Sequence, residues 1–117
     1  MKIYYCDIEV AMQILGGKWK TQILYHLTKS PKRTSELKRL VQGITQKMLI
    51  QTLRELETDR VITRTIYQQV PPKVEYSVTE LGQSLDPALR LLCQWGQNYV
   101  EETFARGEVQ ILNLDKN

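Results

Sequence analysis

Gln46, Lys47, Gln51 and Arg54 lie in one stretch whose spacing, at roughly 100° per residue, gathers Lys47, Gln51, Arg54 and Thr58 on one side of a helix with Gln46 near its N-terminal end. An amide side chain both donates and accepts, so Gln46 and Gln51 are able to bond adenine edges, while Lys47 and Arg54 are able to reach guanine or phosphate. The chemistry offered is recognition of a polyanion. A basic hairpin follows directly, carrying Arg64 on its first arm and Lys73 beside Pro71-Pro72, with Gln68 and Gln69 between them. Ser35 and Lys38 are further phosphate contacts to be expected upstream, with Lys18 and Lys20 behind them on either side of Trp19. Thr45 has two expected jobs, capping the helix and placing its hydroxyl or the helix N-terminus near a phosphate.

The elements that must hold these groups follow from periodicity. Ile8, Met12 and Leu15 mark a short first helix stopped by Gly16-Gly17. Trp19, Ile23, Leu24 and Leu27 mark a second, ending before Pro31. Thr34 is the expected N-cap of a third, through Leu37, Leu40 and Val41, with Glu36 in its first turn and Gly43 closing it. Thr45 then caps the helix that carries the polar face, running to about Asp59 with Leu49, Leu53 and Leu56 opposite. Ile62, Arg64 and Ile66 alternate with Thr63, Thr65 and Tyr67, and Val74, Tyr76 and Val78 resume the alternation beyond the two prolines, which belong at a hairpin tip. Thr79 is expected to cap a long last helix with a stripe of Leu81, Leu85, Leu89 and Leu92, in which Pro87 predicts a kink or a break. The tail from Gly107 reads as frayed or as a short extra strand.

This is a mainly α chain with a small β-hairpin wing, a winged helix-turn-helix, expected as a single domain over 1–117. Helix-turn-helix and wing occupy about 8–79, a dimerisation helix 80–105, and the tail 107–117. A basic helix joined to a basic ribbon is a layout that reads duplex DNA. Charge agrees: the formal net charge is +3, yet Lys18 to Lys73 holds 12 Lys/Arg against 4 Asp/Glu, a net of +8, leaving −5 for the rest. At 42% hydrophobic and 25% charged, the composition is that of an ordinary globular chain. No apolar run suggests a membrane span, and Asp7 and Glu9 interrupt any signal-peptide pattern, so a cytoplasmic protein is expected.

Several linked segments, GGKWK at Gly16 to Lys20, SELKR at Ser35 to Arg39, GITQKMLIQTLRELE and VPPKVEYSVTELG, resemble the HxlR-type family of bacterial transcriptional regulators, within the winged-helix group that includes the MarR regulators. The likeness runs from about Cys6 to Gly96. It implies a homodimer on a pseudo-palindromic operator, with the first and last helices at the dimer interface and the wing on flanking backbone. Some members use a cysteine at the Cys6 position to sense oxidants or electrophiles. Here Cys6-Asp7 departs from the Cys-Pro of many relatives.

A dimer is also expected from the residues themselves. Leu85, Leu89, Leu92, Trp95 and Tyr99 offer more apolar surface than a small core requires, and Ile3, Tyr4 and Tyr5 add to it. A thiol at Cys6 near such an interface is a candidate redox sensor; Cys93 is expected in the core or interface. An aromatic or aldehyde effector between the dimer helices is a further expected partner. No cofactor, metal or membrane partner is expected, since Cys6 and Cys93 lack ligand spacing and no phosphate-cradling glycine motif occurs. His26, amid aliphatic helix residues, has no nucleophile at recognisable spacing, which argues against an enzyme. The competing reading is a winged-helix module for protein–protein contacts without direct DNA readout.

Overall fold

Four short helices, a hairpin and two further helices follow one another in the computed structural model, which describes residues 1–113. The helices are α1 (Asp7–Leu15), α2 (Lys20–Leu27), α3 (Thr34–Leu40) and α4 (Gln46–Thr58); then come β1 (Ile62–Tyr67), β2 (Lys73–Val78), α5 (Glu80–Gln83) and α6 (Asp86–Thr103).

The core forms where α2, α3 and α4 turn their apolar sides together. Ile23, Leu24 and Leu27 of α2 meet Leu37 of α3 and Leu49, Leu53 and Leu56 of α4, all essentially excluded from solvent. Each such side chain contributes about 1.5–3 kcal/mol over its exposed state, which fixes the face that α4 must hide and therefore the face it must show. Between α3 and α4 the chain reverses at Gly43, whose φ of +92° is open to glycine at little cost. At α3 the cap differs from the expected one. Arg33 is the N-cap and Thr34 the first helical residue, because Glu36 reaches back to accept the Arg33 backbone N–H at 3.0 Å.

β1 and β2 pair antiparallel, from Ile62 opposite Val78 to Tyr67 opposite Lys73. Only Ile62 of β1 is buried, so the strand leaves the core at its first residue and projects as a wing. The inner strand β2 is paired on its other edge too. Lys32, just before α3, donates its N–H to the Tyr76 carbonyl at 3.0 Å and accepts from the Tyr76 N–H at 2.8 Å. The Lys32 ammonium is buried and donates to the His26 and Ser30 carbonyls and to Ser30 Oγ. Hairpin and helix-turn-helix are thereby joined through Tyr76.

The long last helix expected after Thr79 is two helices. Thr79 Oγ1 accepts the Gly82 N–H, capping the four-residue α5, and donates to the Arg60 carbonyl. Gly82 lies so close to the Val61 carbonyl that any Cβ there would collide with it. The chain then breaks at Ser84-Leu85, and α6 restarts with Pro87 in its first turn, where a missing N–H costs nothing. The stripe splits with it: Leu81 is exposed, Leu85 half-buried, Leu89 buried and Leu92 exposed. From Gly107 to Asn113 the tail forms no strand; its last four residues lie outside the described ones.

Candidate nucleic-acid interface

The outer face of α4 is built by the inner one. With Leu49, Leu53 and Leu56 buried, Gln46, Lys47, Gln51, Arg54 and Thr58 are all exposed. Thr52, also buried, turns its hydroxyl back to the Met48 carbonyl at 2.7 Å, so no polar atom of the inner side competes for solvent. Thr45 Oγ1 accepts the Met48 N–H at 3.1 Å, the cap expected of it, at the end where the helix dipole favours an anion. Ser35 and Lys38 are exposed on α3.

Two lysines sit differently from their expected roles. Lys20 is not available as a phosphate contact in this arrangement: its ammonium lies 3.1 Å from Glu55 Oε2 on α4. The Lys20 hydrogen bond, then the Gln51 amide donating to Glu55 Oε1, hold the Glu55 carboxyl below the ordinary carboxylate range. Lys73 is not free at the hairpin tip. It is the first residue of β2, half-buried, with its ammonium 3.4 Å from Glu75 Oε2 and 4.9 Å from the Tyr67 ring centroid, while the Tyr67 hydroxyl donates to Glu75. The segment beyond it, Gln68 to Pro72, is exposed throughout, and so is Arg64 on β1. Lys18 lies over the Trp19 ring at 4.7 Å and is exposed.

A second surface of opposite character lies on the outer helices. Leu91 (71% exposed), Leu92, Trp95 (65%) and Tyr99 leave α6 with an uncovered apolar face, where Trp95 and Tyr99 stack at 5.3 Å and Tyr99 meets Phe104 edge-on. Ile8 and Met12 of α1 are likewise exposed, as are Ile3 and Tyr5, while Tyr4 is half-buried. Leu89 does not belong to this surface: at 3% exposure it is spent on the chain's own core, and Leu85 packs partly against that core. Leu91, Ile8 and Met12 are additions that the leucine stripe did not single out, although the shortness of α1 is a signal that it cannot bury three large side chains. Cys6 is exposed at the N-cap of α1, and Cys93 is exposed on α6 beside a cleft shared with Tyr25, Val100 and Ile111.

Among the described residues no group of His, Cys, Asp and Glu is placed to hold a metal ion, and no helix is long and apolar enough to cross a membrane. His26 is buried on α2 against Tyr25.

The family model described as HxlR-like helix-turn-helix matches residues 14–104. The HTH-type transcriptional regulator YkvN of Bacillus subtilis (strain 168) is 59% identical over 116 residues, spanning 99% of this chain and 98% of the relative. The crystal structure of the HTH-type regulator YtcD superposes with a TM-score of 0.77 at 56% identity, covering 82% of this chain and 98% of that one. The redox regulator HypR in its reduced form gives a TM-score of 0.79 at 42% identity, covering 85% of this chain and all of HypR.

Proposed function

This chain belongs to the HxlR-like helix-turn-helix family of transcriptional regulators, and we propose that it binds a pseudo-palindromic operator as a two-fold homodimer, with α4 in the major groove. The observation that carries the reading is the exposed Gln46, Lys47, Gln51, Arg54 face of α4, set beside a wing and inside a segment of net charge +8. Gln46, Lys47, Gln51 and Arg54 supply base readout. Ser35, Lys38, Thr45 and Arg64 take phosphates, and Lys73 joins them if it exchanges Glu75 for the backbone. The exposed apolar faces of α6 and α1 cover each other across the two-fold axis, placing two α4 helices about 34–36 Å apart. The protein works in the cytoplasm on promoter DNA.

Cys6 is the candidate sensor within this reading. Its thiol is exposed at the start of α1, so oxidation or alkylation would alter the packing of a proposed dimer helix; HypR, a redox regulator, shares the fold. Unchanged operator affinity after diamide or quinone treatment would remove that role. The whole proposal is tested by a gel shift with random duplex at low salt and by light scattering. Binding that weakens steeply as salt rises, from a species of dimer mass, is the expected result; no binding, or a monomer at micromolar concentration, contradicts it.

A further inference from the structure

Glu55, exposed on α4 beside the proposed DNA-reading residues, has the wrong charge for DNA. Glu55 divides its carboxylate between two partners: Oε2 lies 3.1 Å from Lys20 Nζ on α2, and Oε1 accepts from Gln51 Nε2 at 3.4 Å, one turn earlier on α4. The Lys20 side chain is 17% exposed and that of Glu55 46%. A pair this open to solvent contributes little to stability, so its consequence lies in what it orients. With Lys20 and then Gln51 holding the Glu55 carboxyl below the ordinary range, the carboxylate is an acceptor only. A neighbour that can only accept settles an amide that could otherwise turn either way. Gln51 must present its NH2 group to Glu55, and the planar amide then directs its carbonyl oxygen away from Glu55.

We infer that the Lys20–Glu55 pair is a specificity device: it fixes the Gln51 amide so that the carbonyl oxygen leads onto the base edge, selecting a base with an amino group on its major-groove edge, adenine or cytosine, over one with a keto group there on the contacted strand. Lys20 and Glu55 act as positioning residues through Gln51. Because the pair is neutral as a unit, it shapes sequence choice without adding to the cationic grip on phosphate. The inference rests on α4 entering the major groove as proposed above.

The test is selection from a pool of randomised duplexes by the full-length protein, by Glu55→Gln, and by the charge swap Lys20→Glu with Glu55→Lys, followed by titrations on single-base variants of the selected site. A glutamine at position 55 has the same shape but both donates and accepts, so the amino-over-keto preference at one position per half-site should fall about tenfold. In the swap, an ammonium at position 55 takes the Gln51 carbonyl and turns the NH2 group outward. The preference at that position should then move to guanine or thymine. The swap keeps the pair neutral, so its binding to random duplex and its salt dependence should stay as in the wild type, whereas Glu55→Gln leaves Lys20 unpaired and should bind random duplex at least as tightly as the wild type. Retention of random duplex by both variants also reports that they are folded. The same base preference in all three proteins would overturn the inference while leaving DNA binding intact. A wild-type protein that retains no duplex at all would overturn the proposed function and the inference with it.

Discussion

Helices α4 and α6 solve opposite problems with similar material. α4 hides its leucines almost completely, Leu49, Leu53 and Leu56 all being excluded from solvent, and shows amides and cations. α6 hides Leu89 alone and shows Leu91, Leu92, Trp95 and Tyr99. A helix whose apolar side is satisfied by its own chain is finished as a structure, and what remains exposed is available for a polar partner. A helix whose apolar side is left open is unfinished until another surface covers it. In the function proposed above the two helices meet different partners, DNA for α4 and a second copy for α6.

The largest effect should come from breaking the α6 side of that comparison. Leu92→Glu with Trp95→Glu should convert the proposed dimer to a monomer in light scattering and lower operator affinity by about 10²–10⁴-fold, as expected when two linked half-sites are reduced to one. Leu89→Ala sharpens it from within the same helix. Because Leu89 lies in the core, this change should cost about 2–5 kcal/mol in denaturant unfolding, whether or not the protein dimerises. The smallest effect separates two cations by their surroundings. Lys38→Ala should lower the magnitude of the salt slope by about one unit, whereas Lys73→Ala should lower it by less, since Glu75 already holds the Lys73 ammonium.

Much of this was legible in the sequence, because local pattern governs it. The leucine spacing of α4, the Thr45 cap and the alternation through the hairpin depend on residues a few positions apart, and each places an element where the structure has it. What stayed hidden depends on packing between distant segments. Nothing local marks Lys32 as a strand partner of Tyr76, nor Lys20 as the partner of Glu55, because both pairings exist only once α2, α4 and the hairpin have docked. The break at Ser84-Leu85 was half legible: Pro87 signals an interruption, yet the cap that Thr79 gives to α5 hides that the helix must start again. Leu89 shows the remaining gap, since periodicity places it on an apolar stripe but does not say whether its own core or a partner covers it.

Whether the exposed face of α4 and its wing hold DNA can be decided in a single titration series. A quadruple variant with Lys47, Gln51, Arg54 and Lys73 all replaced by Ala should be titrated against the selected operator and against random duplex across a range of salt. Discrimination between the two should collapse, by about 1–3 kcal/mol for each base-reading side chain truncated, and the salt slope should become shallower. Operator affinity and salt slope equal to those of the wild type would contradict the proposed role of that face.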